Sequence, residues 1–369
     1  EAAEALARAA RRAATRPATE SDAPPILFVM PGQGAQHPGM GRALYDVPGV
    51  FRDTVDRLAG YLAEPLGLDL RELIFPAPAA QAVAADRLAD TAITQPAVLV
   101  IELALAYQWR AWGIEAQTLI GHSLGEFAAA VLAGVFTEAD ACRLIVTRAR
   151  LMAAQPSGAM LAIHAAPTQV QAHLDDSVEI SAINAPELCV VSGDHTAIDA
   201  LDDRLLTAGL RTTRLATSHA FHSRAMAPAM TALEEAVAAV SRAPAQRPII
   251  STLTGAALTA DDMSAPDYWS RQMREAVRFA PAIEAAHESL RPVFLECGPG
   301  GQLTAAISQQ HAADSPPVAI ASQPGARDDT PADVALLSAL GALWQVGVMP
   351  DWRGVFGCEQ APRLRLHLP

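Results

Sequence analysis

The chain has 369 residues and a net charge of −13 at pH 7, and 51% of its residues are hydrophobic. This length provides one large or two modest hydrophobic cores, and the acidic charge excludes a general nucleic-acid binder, whose surface would be basic. All 27 basic residues are arginine, which excludes both Schiff-base chemistry on lysine and the lysine of a phosphate-binding P-loop.

The sequence predicts neither a membrane segment nor a metal site. No apolar run approaches the roughly 20 residues that cross a bilayer, and the N-terminus lacks the apolar core of a signal peptide. We therefore expect a cytoplasmic protein that does not bind a membrane. The four cysteines, at positions 142, 189, 297 and 358, lack the spacing of a zinc motif or of a disulfide framework. We expect them to be reduced and mostly buried.

The first predicted elements are a connector, a strand and a glycine-rich loop. Residues 1–25 have the composition of a linker, and the apolar run 26–30 predicts a buried strand. Residues 31–36, Pro-Gly-Gln-Gly-Ala-Gln, follow this strand. The glycines on both sides of Gln33 let the backbone approach a ligand closely, although an ordinary strand exit explains the same residues.

The next predicted elements surround residues 121–126, Gly-His-Ser-Leu-Gly-Glu. The pattern of 94–113 indicates a buried helix, 118–120 indicates a buried strand, and a second helix follows the motif. A glycine-flanked serine at a strand-to-helix junction is typical of a nucleophile elbow. We therefore predict that Ser123 is a nucleophile. The backbone N–H of Leu124, at the helix N-terminus, would stabilise a negative oxygen.

A further helix is predicted to begin at the cap residues 137–140 and to carry Arg148. The planar guanidinium of this arginine can hold a carboxylate in a bidentate pair if it lies beside Ser123. Such a grip would select an acyl group with a free acid. A solvated helix face explains the position of the arginine equally well.

Strands and helices alternate in 26–157 and 223–325 as they do around a parallel sheet. Between them, residues 158–222 have the order strand, helix, strand, strand, helix, strand, which is that of a ferredoxin-like unit. We therefore predict a large α/β subdomain with an inserted ferredoxin-like subdomain. Residues 326–369 are predicted to be a C-terminal helix followed by an extended tail over 350–369.

A serine nucleophile requires a base, for which neutral histidine is the usual residue. Among the ten histidines, His219 and His222 are the best placed, because they lie where the small predicted unit returns to the large one. Clefts form at such junctions. A purely structural histidine at the interface is the alternative.

These motifs together resemble the acyltransferase domains of modular type I polyketide synthases, in their malonyl-selective form, which are related to malonyl transferases of fatty-acid synthesis. The resemblance covers nearly the whole chain. Its motifs, in chain order, are residues 31–36, 94–97, 121–126, 147–148, 219–222, 268–269 with 278–279, and 295–299. It implies a hydrolase-like large subdomain with a ferredoxin-like insertion, in agreement with the pattern of strands and helices.

The resemblance assigns roles to the residues of the motifs. It implies that Ser123 is acylated and that His222 is its base. Gln33 and the N–H of Leu124 would form the oxyanion hole, and a backbone carbonyl near Gln272 would orient the imidazole in place of an aspartate. The residue before the nucleophile, His122, receives no role.

The resemblance also implies a substrate. Arg148 would bind the free carboxylate of an extender unit, and the stretch His219 to His222 matches the malonyl-selecting pattern. In this pattern Phe221 would occupy the space that an α-methyl group needs, and Leu124 would shape the same pocket. One such contact is worth about 1 to 3 kcal/mol, which gives preference rather than exclusion.

The implied reaction moves a malonyl group from malonyl-CoA, through an acyl-serine, to the phosphopantetheine thiol of an acyl carrier protein, with no tightly bound cofactor. An adjacent ketosynthase and its linker would be further partners. Three alternatives remain: another extender unit such as methylmalonyl or a substituted malonyl, a serine hydrolase acting on thioesters or esters, and a docking module without catalysis. The hydrolase would need a carboxylate to orient His222.

Overall fold

Two β-sheets organise the protein in a computed structural model that describes residues 23–259, 261–310 and 316–357. Within these residues the strands are β1 (Ile26–Met30), β2 (Thr118–Gly121), β3 (Ala159–Ile163), β4 (Val178–Ala185), β5 (Leu188–Gly193), β6 (Thr212–Arg214), β7 (Ile249–Ser251), β8 (Ala256–Ala257), β9 (Val293–Glu296) and β10 (Val318–Ala321). One sheet has six strands in the order β10-β9-β1-β2-β7-β8, and the other has four in the order β4-β5-β3-β6.

Helices cover both faces of the larger sheet and one face of the smaller. They are α1 (Arg42–Tyr45), α2 (Val50–Leu66), α3 (Arg71–Ile74), α4 (Gln81–Leu88), α5 (Thr91–Ala111), α6 (Gly125–Leu132), α7 (Glu138–Ala153), α8 (Pro167–Gln171), α9 (His195–Thr207), α10 (Met230–Ala238), α11 (Pro266–Arg274), α12 (Phe279–Leu290), α13 (Gln302–Ile307), α14 (Ala332–Gln345) and α15 (Trp352–Phe356). Short 3-10 turns lie at Pro78–Ala80, Arg224–Ala229 and Asp262–Ser264.

The larger sheet is parallel, as predicted. Strands β10, β9, β1, β2 and β7 run in one direction, and β8 turns back antiparallel to β7. Every residue of β1 is buried, as expected for a central strand with helices on both faces. The register places Met30 beside Gly121. The loop after β1 and the turn after β2 therefore lie side by side at the carboxyl edge of the sheet.

The smaller sheet has the ferredoxin-like connectivity that the sequence predicts. All its strand pairs are antiparallel, and apolar residues of α8 and α9 pack on it to form a core separate from the large one. Strand β4 also reaches the large subdomain: the N–H of Ile183 donates to the carbonyl of Val277 (2.8 Å), and the N–H of Val277 donates to the carbonyl of Ser181 (2.9 Å).

Several boundaries differ from the predictions for physical reasons. Helix α5 begins three residues before position 94, because the side chain of Asp90 caps it by accepting from the N–H of Ala92. The tail predicted as extended contains α15, whose N-terminus is capped by Asp351. Strand β10, partly exposed at the sheet edge, was not predicted, since an apolar run of 4 residues is too short to indicate a strand by itself.

Other predictions fall partly outside the described residues. The connector predicted for 1–25 is described only from residue 23, and residues 358–369 of the tail also lie outside. Cys142, Cys189 and Cys297 are free and buried, as predicted, whereas Cys358 is not described.

In the described part of the chain no single helix is long and apolar enough to span a membrane. One pair of helices, Pro78–Leu88 with Thr91–Ala111, passes the test by length and composition but is bent by 109°.

Candidate active site

Ser123 lies in the turn between β2 and α6, and its φ of 54° is in the left-handed region. The glycines two positions before and after it have no room for a side chain, because neighbouring backbone atoms lie too close. A Cβ atom on Gly121 would lie 2.1 Å from the backbone nitrogen of Glu126, and one on Gly125 would lie 2.3 Å from the carbonyl oxygen of Met30. The turn therefore has the tight geometry of a nucleophile elbow.

We expect Gly125→Ala to lower the thermal midpoint of unfolding, because the added methyl group would overlap the backbone of β1. Overpacking of this kind costs about 1 to 3 kcal/mol. Gly60→Ala is the matched control: no atom lies within 4 Å of its Cβ position, and alanine stabilises an exposed helix by about 0.5 to 1 kcal/mol relative to glycine. Equal midpoints for the two variants would contradict this account of the elbow.

His222 is hydrogen-bonded to the nucleophile. Its Nε2 atom lies 2.7 Å from Ser123 Oγ, and its Nδ1 atom lies 2.9 Å from the carbonyl oxygen of Glu275. Because a carbonyl only accepts, Nδ1 carries the proton and donates to it. Nε2 is then free to accept the proton of the Ser123 hydroxyl. The two residues form a hydrogen-bonded pair, and a backbone carbonyl lies at Nδ1, where a catalytic triad has a carboxylate.

The carbonyl that orients His222 belongs to Glu275, three residues beyond the predicted Gln272. Glu275 follows the last residue of α11, and its extended backbone turns the carbonyl out of the helical ladder. Burial lowers the pKa of the imidazole, and the carbonyl of Gln272, which also interacts with it, offsets a small part of this lowering. The side chain of Gln272 has a different contact: its Nε2 donates to the backbone oxygen of Ser123 (2.5 Å). Gln272 thus supports the elbow as well as the imidazole.

Arg148, on α7, is buried beside the nucleophile, with 1% of its surface exposed. Its Nη2 donates to Ser123 Oγ (3.1 Å) and its Nη1 donates to Gln95 Oε1 (2.5 Å). Its Nε is buried without a hydrogen-bond partner. Burial lowers the pKa of Arg148 to about 10, so it remains a cation at neutral pH. The position excludes the interpretation of Arg148 as part of a solvated helix face.

Glu126 provides the nearest countercharge to Arg148. Its carboxylate is buried and accepts from the N–H and the hydroxyl of Thr252 (both 2.7 Å) and from the hydroxyl of Tyr268 (2.6 Å). Burial raises the pKa of Glu126, while these hydrogen bonds and the charge of Arg148 lower it. Although it lies in the elbow motif, Glu126 was not predicted as a site residue, because nothing in the sequence indicated a buried charge there.

The predicted oxyanion residues lie next to the nucleophile. Leu124 is the N-terminal cap residue of α6. Gln33 follows Gly32, whose Cβ position would be 3.8 Å from the Cβ of Ser123. Gln33 Oε1 accepts from the hydroxyl of Thr91 (2.8 Å). The parallel pairing of β1 and β2 thus brings both predicted donors to one edge of the sheet.

The predicted selectivity residues lie beside the base. Phe221 is 4% exposed, and the ring centroids of Phe221 and His219 are 5.6 Å apart in a stacked arrangement. His219 Nε2 donates to the carbonyl of Ala153 (3.2 Å), at the end of α7. Phe221 is therefore packed into the large hydrophobic core and against His219.

His122 connects the two subdomains. Its Nε2 lies 2.9 Å from Oδ1 of Asn184, on β4, and donates to it. Its Nδ1 is buried without a partner, and burial lowers its pKa. Asn184 was predicted only as a turn residue, and no motif in the sequence indicated its contact with the nucleophile elbow.

Comparisons with known proteins identify the family of the chain. The sequence profile of the acyl transferase domain family matches residues 27–345. A phenolphthiocerol synthesis polyketide synthase type I of Mycobacterium marinum is 39% identical over 341 residues, which are 92% of this chain and 16% of that protein. The chain thus spans less than a fifth of this relative's length.

Solved structures of similar fold are also acyltransferase domains. The acyltransferase domain from the second module of the salinomycin polyketide synthase has a TM-score of 0.84 and 37% identity, covering 94% of this chain and 79% of that one. The acyltransferase domain of SpnD, solved in complex with 2-(pent-4-yn-1-yl)malonyl, has a TM-score of 0.83 and 34% identity, covering 91% and 80%. With its parallel sheet, its antiparallel subdomain and its glycine-flanked serine, the chain belongs to the acyl transferase domain family, and its homologues are type I polyketide synthases.

Proposed function

We propose that this domain transfers a malonyl group from malonyl-CoA, through an acyl-Ser123 intermediate, to the phosphopantetheine thiol of an acyl carrier protein. The observation that carries this proposal is the environment of Arg148. It is a buried cation whose Nη2 reaches Ser123 Oγ and whose Nε has no partner. In the described residues no carboxylate forms an ion pair with it. A substrate carboxylate would supply the missing partner.

In the first half-reaction, Ser123 Oγ attacks the thioester carbonyl carbon while its proton passes to His222 Nε2. The oxyanion that forms is stabilised by the N–H of Leu124 and by Gln33. When the carbon–sulfur bond breaks, His222 returns the proton to the departing thiolate, and CoA leaves as a thiol. The hydrogen bond from Nδ1 to the Glu275 carbonyl holds the imidazole in the required tautomer throughout.

In the second half-reaction, the phosphopantetheine thiol of the carrier protein gives its proton to His222 and attacks the malonyl ester. The bond from the acyl carbon to Ser123 Oγ breaks, and His222 protonates the serine. No tightly bound cofactor takes part. The carrier protein, with a ketosynthase and its linker, would belong to the larger synthase.

The orientation of His222 favours a transferase over a serine hydrolase with a catalytic triad. Such a hydrolase would use an aspartate or glutamate at Nδ1, whereas the partner of Nδ1 here is the carbonyl of Glu275. Several aspartates between Ser123 and His222 in the chain make other contacts; for example, Asp175 pairs with Arg204 and Asp194 caps α9.

The release of CoA in the absence of a carrier protein tests this proposal. We expect a burst of one equivalent of CoA per domain, followed by arrest, because the acyl-serine needs a thiol acceptor. Addition of a phosphopantetheine-bearing carrier protein should restart the release and place malonyl on the carrier. Continued release of CoA without the carrier would support the hydrolase instead.

The pH dependence of acylation follows from the environment of His222. Burial, with smaller contributions from Arg148 and His122, lowers its pKa to about 3. A histidine is a base only above its pKa, so we expect kcat/KM for malonyl-CoA to be constant between about pH 5 and 8 and to fall only at more acidic pH. A loss of half the activity near pH 6.5, the value for an ordinary histidine, would contradict this prediction.

The extender preference depends on Phe221. We expect Phe221→Ser to raise the ratio of kcat/KM for methylmalonyl-CoA to that for malonyl-CoA by about 10- to 100-fold, because the lost ring leaves space for an α-methyl group. A ratio of two donors on one sample is independent of the fraction that is folded. Phe356→Ser, at a residue that is 68% exposed, is the control. An unchanged ratio in Phe221→Ser would show that another residue limits the pocket.

A further inference from the structure

We propose that Gln95 is a positioning residue that fixes the guanidinium of Arg148 for carboxylate recognition and couples it, through Thr91, to Gln33. The proposal rests on the proposed function, since it concerns how the same site selects an acid-bearing donor. Gln95 is fully buried on α5. Thr91 lies four residues earlier, and therefore on the same face of that helix.

Four side chains form a continuous chain of hydrogen bonds beside the nucleophile. Arg148 Nη1 donates to Gln95 Oε1 (2.5 Å), and Gln95 Nε2 donates to Thr91 Oγ1 (3.0 Å). The hydroxyl of Thr91 donates to Gln33 Oε1 (2.8 Å). Arg148 also donates to Ser123 Oγ. This series of hydrogen bonds therefore connects the loop after β1 to Ser123 through the interior of the protein.

The charge of Arg148 sets the direction of every bond in this chain. A guanidinium only donates, so the oxygen of the Gln95 amide must face it, and the amide nitrogen must face Thr91. The hydroxyl of Thr91 accepts from that nitrogen and has its single proton left for Gln33 Oε1. The NH₂ group of Gln33 is thereby turned away from Thr91. The same cation that would bind the substrate thus fixes the orientation of a predicted oxyanion residue.

The hydrogen bond from Gln95 also determines which edge of the Arg148 guanidinium is left unpaired. Gln95 occupies Nη1, whereas Nε is unpartnered and Nη2 contacts Ser123 Oγ. A carboxylate binds in a bidentate manner to two adjacent N–H groups, and Nε with Nη2 is the pair left for it. Gln95 is suited to this task because its amide anchors the guanidinium without neutralising it. A carboxylate at the same position would compete with the substrate.

Gln95→Glu tests the inference, because it keeps the shape of the side chain and replaces a neutral anchor by a charged one. We expect the ratio of kcat/KM for malonyl-CoA to that for acetyl-CoA to fall by about 10- to 100-fold, as for the loss of charge-assisted hydrogen bonds. Acetyl transfer does not use the carboxylate grip and should fall less than malonyl transfer, by what the lost N–H donation to Thr91 contributes. Gln345→Glu, at an exposed position of α14, should leave the ratio unchanged.

A second pair of variants tests the coupling to Gln33 and does not place a charge in the core. Thr91→Val removes the hydroxyl at constant volume, and we expect it to lower kcat for both donors, whereas Thr91→Ser keeps the hydroxyl and should restore kcat. A merely structural role would reduce the amount of folded domain but leave kcat per folded domain unchanged in Thr91→Val, so kcat is referred to the folded fraction of each sample.

The outcomes separate this inference from the proposed function. If the wild-type domain shows no preference for malonyl-CoA over acetyl-CoA, the proposed function fails and this inference fails with it. If the wild type prefers malonyl-CoA and Gln95→Glu keeps that preference, only the role of Gln95 in recognition is overturned. Wild-type kcat in Thr91→Val would overturn the coupling to Gln33.

Discussion

In Ser123→Ala, we expect that no acyl-CoA donor changes the intact mass of the protein and that transfer to a carrier protein falls by about 10,000-fold or more, the scale on which serine enzymes lose activity without their nucleophile. The physical reason is that Oγ alone receives the acyl group. It also accepts from Arg148 and donates to His222, at 3.1 and 2.7 Å. Mass spectrometry of the protein after incubation with malonyl-CoA measures the adduct directly.

Ser289→Ala is the control for this experiment. Ser289 is on α12, and its hydroxyl donates to carbonyl oxygens of its own helix, those of Ala285 (2.7 Å) and Ala286 (3.3 Å). We expect this variant to form the adduct at the wild-type rate. An adduct that persists in Ser123→Ala would place the nucleophile elsewhere and contradict the proposed mechanism.

In Arg148→Ala, we expect the proposed preference for an acid-bearing donor to be lost. The substrate carboxylate would enter a buried site without its cation, and removing one partner of such a pair lowers kcat/KM for malonyl-CoA by about 100-fold. Acetyl-CoA has no carboxylate, so it should lose less by this change, only what the hydrogen bonds of Arg148 to Ser123 and Gln95 contribute to the reaction. Competition between the two donors, followed by the mass of the adduct, therefore shifts from malonyl towards acetyl.

Arg143 is the matched control, because it is on the same helix, α7, with 62% of its side chain exposed and a partner in Asp140. Arg143→Ala removes the same charge from the same helix without entering the site, so the donor preference should remain. If Arg148→Ala kept the preference for malonyl-CoA, another group would have to bind the carboxylate.

The nucleophile elbow was predictable from sequence because its chemistry is local. A glycine on each side of Ser123, a buried strand before it and a helix after it specify one backbone path, and the contacts of Gly121 and Gly125 show why no other residue fits. The ferredoxin-like insertion was predictable for a similar reason, since the order of its strands and helices lies in one continuous segment, 158–222. Patterns of this kind depend on neighbouring residues in the sequence, so they can be read before the packing of the elements is known.

The polar groups that come together from distant segments could not be predicted in the same way. The carbonyl of Glu275 is a backbone group, which carries no signal in the residue type. Gln95 lies in a recognised motif, but its contact with Arg148 depends on how α5 packs against α7. Asn184 reaches His122 from the other subdomain. Each of these contacts is set by the packing of elements that are far apart in sequence.

The most direct test of the account is the intact mass of the domain after incubation with an equimolar mixture of malonyl-CoA, methylmalonyl-CoA and acetyl-CoA. The account predicts a single malonyl adduct on Ser123, since Arg148 would select the carboxylate and Phe221 would exclude the α-methyl group. A dominant acetyl adduct, or no adduct from any of the three donors, would contradict the claim that this site holds an acid-bearing acyl group on Ser123.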